Sequence, residues 1–182
     1  MHKIQFLMAL LAAGIFCSRS YGAFEIKDYG CENISCGSAG IASNITSFAV
    51  FINPAKIGLN PNADINLFYR NFYGLKEINQ ISLAGHFRLF RLPAGFGIST
   101  FGNQLYRETE IRTAIGVELI QQIRMGISLN LYYLDIRNYG STMTFGFDFA
   151  FMKHINDVVS AAFVVSNLKI LNSIIAPEFN TG

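Results

Sequence analysis

Residues 142–151 read TMTFGFDFAF, setting Met143, Phe145, Phe147, Phe149 and Phe151 against Thr142, Thr144, Gly146 and Asp148. Successive side chains of an extended strand point to opposite sides of a sheet, so this period of two makes one face aromatic and the other polar. Six further segments repeat the pattern. Residues 63–73 place Ile65, Leu67, Tyr69 and Tyr73 opposite Asp64, Asn66 and Arg70, and residues 79–89 place Ile81, Leu83, Phe87 and Leu89 opposite Gln80, Ser82, His86 and Arg88. Residues 94–101 alternate Phe96 and Ile98 with Gly95, Gly97 and Ser99. Residues 109–119 oppose Ile111, Ile115, Val117 and Leu119 to Glu110, Arg112, Gly116 and Glu118. From residue 123, Met125, Ile127, Leu129, Leu131 and Tyr133 alternate with Arg124, Gly126, Ser128 and Asn130. The seventh segment is weaker, with Val159, Phe163 and Val165 facing away from Ser160 and Ser166. On a helix, Glu110, Arg112 and Glu118 would fall among the apolar positions, which favours strands.

The connections alternate between short (91–93, 120–122, 154–157) and longer or more polar (74–77, 102–108, 137–141). That predicts an antiparallel up-and-down sheet with tight turns at one rim and larger loops at the other. Polarity then separates a soluble barrel from a membrane one. A soluble barrel turns its apolar face inward and shows Lys and Glu to water. In these segments Lys is nearly absent, the polar face is Gly, Ser, Thr and Asn with ions of both signs, and the other face suits lipid. The chain of 182 residues is 51% hydrophobic and 14% charged with net charge +2, and its cations are scattered, which excludes a nucleic-acid partner. The fold class expected is all-β, an antiparallel up-and-down transmembrane β-barrel with outer-membrane lipid as its first partner.

Residues 1–22 read as a signal peptide: His2 and Lys3 start it, residues 6–16 are apolar, and Ser20-Tyr21-Gly22 offers small residues for cleavage. That apolar run is shorter than the roughly 20 residues of a helical span, and no later run is long enough either. Residues 23–60 form an N-terminal periplasmic or plug segment, and residues 61–182 carry at least seven barrel strands. Seven is odd and below the eight strands of the smallest single-chain barrels. Residues 177–182, PEFNTG, read as a loop. The expectation is therefore an incomplete barrel: the N-terminal part of a longer protein, or an open sheet whose first and last strands lack partners.

Residues 36–58, CGSAGIASNITSFAVFINPAKIG, run from a Gly/Ala-rich stretch into Asn53-Pro54-Ala55. With Gly37, Gly40, Ala42 and Ala49 before the triplet and Ile57 after it, the stretch resembles the N-terminal motif of the FadL-like (long-chain fatty-acid transporter) superfamily and of the related PorV family. Ile45 and Thr46 replace the acidic pair usual there. Further on, Phe101-Gly102, Tyr106-Arg107-Glu108, Tyr139-Gly140-Ser141 and Asp148 carry a looser likeness, nearer PorV. The resemblance implies that this region packs inside the barrel as a plug or hatch, in the outer membrane of a Gram-negative bacterium. Locally, the residue before a proline is extended and Pro54 fixes its own φ, so the triplet ends a short helix and redirects the chain.

Arg70, His86, Arg88, Glu110, Arg112, Glu118, Arg124 and Asp148 fall on the polar face as lumen-facing groups. In a water-filled lumen, Asp148→Asn is expected to do little beyond altering charge balance. Cys31 and Cys36 either close a small disulfide loop or stay free thiols. His86 and His154 have no Cys or His at zinc-like spacing, so no metal and no cofactor is expected. Nothing identifies a nucleophile, base and acid set, so no enzymatic chemistry is expected. The resemblance to PorV implies protein secretion with secretion-system proteins as partners, whereas that to FadL implies a diffusion channel for hydrophobic small molecules such as fatty acids. A structural barrel and a soluble β-barrel binding protein are the remaining alternatives.

Overall fold

A computed structural model describes residues 22–25, 28–43, 48–156, 158–168 and 174–176. Apart from Gly22, the expected signal peptide lies outside the described residues. The strands are β1 (Asp64–Asn71), β2 (Asn79–Leu89), β3 (Leu92–Gly102), β4 (Tyr106–Ile120), β5 (Ile123–Ile136), β6 (Gly140–His154), β7 (Ser160–Leu168) and β8 (Ile174–Ala176). They form one antiparallel sheet in the order β1 to β7, and β8 pairs with β6 beyond the end of β7. All seven segments expected to alternate are strands. β2 has the expected limits, while β4 starts earlier, at Tyr106.

The sheet is not closed. Six antiparallel steps separate β1 from β7, so the two run in the same direction and their direct pairing would be parallel. The open sheet expected is observed: among the described residues neither β1 nor β7 has a partner strand along its outer edge.

The rims differ less than the sequence predicts. The β3–β4 and β5–β6 connections shrink to residues 103–105 and 137–139, leaving residues 72–78 as the longer loop at that rim among the described residues. The cause at the first is local: the Asn103 side chain accepts from the backbone N–H of Leu105 (2.8 Å) and Tyr106 (3.0 Å), closing a turn that lets β4 begin at once. At the other rim Phe90 and Arg91 make a two-residue β2–β3 turn, both at positive φ (49° and 78°), the geometry that matches strand twist.

Register lines up the two kinds of side chain. Leu67, Leu83, Ile98, Ile111, Leu131 and Phe145 form one continuous apolar row across β1 to β6. One residue along, Ala84, Gly97, Arg112, Asn130 and Gly146 form a row on the opposite face. The buried core lies on this second face, under the N-terminal segment: α1 (Cys31–Ser35), α2 (Ala49–Ile52) and a 3₁₀ turn (Pro54–Lys56). Tyr29, Phe48, Val50, Phe51 and Ile57 of that segment pack with Phe68, Ala84 and Ala114 of the sheet. Among the described residues no helix is long and apolar enough to cross a membrane, which says nothing about crossing by strands.

Candidate functional site

The N-terminal segment sits close to the sheet because the wall beneath it lacks side chains. A Cβ added at Gly126 would stand 2.2 Å from the Pro54 carbonyl carbon, and one at Gly116 would stand 2.5 Å from the Ile57 oxygen. Glycine is the residue that permits this approach of backbone to backbone. The Asn53-Pro54-Ala55 triplet ends α2, as expected, and all three side chains are buried. Asn53 is extended (φ −158°), its Oδ1 accepts from Ala55 N (2.9 Å) and its Nδ2 donates to Ile41 O (2.8 Å). Gly40 is buried beside it, donating its N–H to Asn33 Oδ1 (3.1 Å) while its carbonyl accepts from Lys56 Nζ (2.9 Å). These bonds knit residues 40–41 to residues 53–56, giving Gly40 and the triplet a shared structural job. Gly37 is exposed in a turn (φ 65°) and Ala42 is half-buried, so neither takes part.

Lys56 is fully buried, and burial pushes its amine down to about 8, with the Glu32 carboxylate partly opposing the shift. Its ammonium form costs solvation that a single carbonyl does not replace.

Two wall arginines hold the segment from below. Arg124 donates from Nε to Ala55 O (3.0 Å) and from Nη2 to Ile57 O (2.8 Å), and its Nη1 meets Glu118 at 3.3 Å. Arg112 donates to Phe51 O (3.1 Å) and pairs with Asp148 (2.7 Å) and Glu110 (2.5 Å). Glu110 also accepts from the Tyr29 hydroxyl, and Asp148 accepts from the backbone N–H of Asn167 (2.7 Å). One guanidinium thus faces two carboxylates, and the phenol and amide donors make up the shortfall in hydrogen bonds. Burial, followed by the adjacent Glu110 charge, pushes the Tyr29 phenol well above its ordinary range, which keeps it a donor.

Of the polar positions expected to share a lumen, Glu110, Arg112, Arg124 and Asp148 are buried under the N-terminal segment. His86 is buried against Asp64 (2.8 Å), and Arg70 is half-buried with Asp28 (3.2 Å). Glu118 and Arg88 are exposed towards the β2–β3 and β4–β5 turns. One expectation needs correction. Asp148 is 1% exposed and bound to Arg112, so it is not a solvated lumen group whose neutralisation is mild. Of the two alternatives for Cys31 and Cys36, the free thiols are the one observed, both exposed.

Tyr29, Asn33 and Lys56 escaped the sequence reading. Lys56 directly follows the triplet, which is the one signal that pointed to it. A cavity of about 820 Å³ opens beside the segment, between β1 and β7. Phe51, Ile52 and Val164 supply its apolar lining, and Asp28, Arg70 and Arg112 its charges. The chain matches no protein-family model, no curated protein and no solved structure.

Proposed function

We propose that this chain builds the wall and the internal plug of an outer-membrane-type β-barrel that serves transport or protein secretion. One observation carries the reading: the sheet covers its ionic face and leaves its apolar face bare. Arg112, Glu110 and Asp148 are nearly inaccessible, whereas Ile115, Ile127 and Leu129 are 49%, 57% and 44% exposed on the other side. A soluble β-barrel has the opposite arrangement, because water would solvate the ions and the apolar side chains would form the core. Hydrocarbon is the solvent in which a wall of Ile, Leu and Phe is stable facing outward. The N-terminal segment, gripped at three carbonyls by Arg112 and Arg124, then occupies the lumen as the plug.

A second reading within this class is favoured by the cavity between β1 and β7. Its mixed apolar and charged lining suits a solute with a hydrocarbon body and a polar end, as in a diffusion channel for hydrophobic molecules. A deletion strain separates the readings. Loss of labelled fatty-acid uptake supports the channel, and loss of surface retention of exported proteins supports secretion. Loss of neither rejects both and leaves a structural barrel. Membrane insertion itself is tested with Cys at Ile127: a fluorophore there is quenched by brominated lipid if the outward face meets hydrocarbon, and unquenched labelling rejects the barrel. Position 148 cannot serve as the aqueous control, since its side chain is covered; exposed Asn138 in the β5–β6 connection can.

A further inference from the structure

The outward face is not uniformly convex. Between β2 and β5 it carries an apolar groove of about 630 Å³, lined by Leu89, Ala94, Thr113, Leu119, Ile127 and Leu129 among others. Ala94 and Thr113 have short side chains among long ones, which makes the depression. On β4 it runs from Thr113 to Leu119, about 20 Å at the rise of a strand. At a tilt of about 40° that is roughly 15 Å of depth, half the hydrocarbon core of a bilayer.

The groove ends at the rim of the β2–β3 and β4–β5 turns, where exposed cations stand. Phe90 and Arg91 make the exposed β2–β3 turn directly after Leu89, and Lys153 is exposed on β6 on the same face as Phe151. Among the described residues at this end of β2 to β6, the acid is Glu118, which engages Arg124. The opposite rim mixes Lys76, Arg107 and Arg137 with Glu77 and Asp135. An apolar channel one leaflet deep, ending beneath exposed cations and an aromatic side chain that is 92% exposed, has the layout of an amphiphile site with an anionic head.

We infer that this groove seats an acyl chain of an anionic phospholipid, with its phosphate at Arg91, in the leaflet at the short-turn rim. The inference rests on the membrane-barrel reading and adds a lipid partner to it. The test reconstitutes the full chain into vesicles of phosphatidylcholine, alone or mixed with phosphatidylglycerol, and reads lipid retained after detergent extraction by native mass spectrometry. Wild type should retain phosphatidylglycerol over phosphatidylcholine. Arg91→Gln should lower that retention about fivefold, the effect of one cation near an anionic surface, while Arg91→Lys keeps it. Ala94→Phe, which fills the groove and leaves the charges in place, should lower retention as well. Equal retention of both lipids, or retention unchanged in Arg91→Gln or in Ala94→Phe, overturns the site while leaving the barrel intact. Failure to insert into either vesicle overturns the membrane reading and the site with it.

Discussion

Strand β1 and the central strands β4 to β6 share one alternation and one apolar row, yet they differ sharply in what they leave bare. Ile65 and Leu67 of β1 are 71% and 73% exposed, whereas Ile111 of β4 and Phe145 of β6 are 39% and 38% exposed in the same kind of position. The side chains are alike, so the difference comes from neighbours: a central residue is flanked on both sides and an edge residue on one. An edge also leaves a row of backbone groups unpaired, which is costly in lipid. Alternation is a property of one strand, and closure is a property of the whole ladder. Because β1 and β7 point the same way, only an odd number of added strands would complete an antiparallel ring.

The polar face repeats the contrast, and mutation there should show the largest effect. Arg112→Ala removes the buried partner of both Glu110 and Asp148, leaving carboxylates unpaired beneath the N-terminal segment. The loss should be about 3 to 5 kcal/mol, read by denaturant titration of the reconstituted protein. Arg70→Ala, near the edge, breaks a partly exposed pair with Asp28 and should cost about 1 kcal/mol or less. Comparable losses at the two sites would show that the centre is no more consolidated than the edge.

Next in size is a charge placed on the apolar face. Ile127→Arg should cost about 2 to 4 kcal/mol in a bilayer if the outward face meets hydrocarbon near mid-membrane. In a lipid-free, detergent-free refolding assay an Arg at this already exposed position should cost far less. A penalty independent of lipid would place Ile127 in a protein core and reverse the assignment of the faces.

A smaller effect tests how the N-terminal segment is seated. Gly126→Ala puts a methyl group into the Pro54 and Ala55 backbone, which must move away, at a cost of about 1 to 3 kcal/mol. Limited proteolysis should then cut residues 36–43 faster than in wild type. An unchanged rate in Gly126→Ala would mean that the segment does not depend on this contact.

Much of this was legible in the sequence because alternation depends only on residues two apart. The limits of β2, the facing of Ile111 against Glu110, and the helix stop at Asn53-Pro54 all follow from local rules. Partners did not follow. Arg112 and Asp148 meet because three strands fall into one register, and that information is spread over residues 112–148. Arg124 binds the carbonyls of Ala55 and Ile57, groups common to every residue, so no side-chain pattern announces the contact. Asp148 departs from the local rule because its face is covered by protein rather than water, and the covering segment lies about a hundred residues earlier in the chain.

The finest test concerns Lys56, a buried cation inside the N-terminal segment whose ammonium donates to the Gly40 carbonyl. Its amine is held at about 8 when folded, against 10.5 when unfolded, because burial disfavours the charged form. Between these values the unfolded chain binds more protons than the folded one, so stability rises with pH across that window. At pH 7 the folded state carries the full cost of the buried ammonium, and by pH 9 most molecules have shed the proton on folding. The expected gain from pH 7 to pH 9 is about 1 kcal/mol. Tyr29 acts in the opposite sense, but its phenol is pushed upward, so its contribution begins to fall only as the unfolded tyrosine titrates near pH 10. Lys56→Met should be more stable than wild type at pH 7 and should lose the rise, since methionine fills similar space without a charge. A wild-type stability that is flat or falling from pH 7 to pH 9, or a rise that survives in Lys56→Met, would show that Lys56 reaches solvent and that the N-terminal segment is less tightly seated than the central strands beneath it.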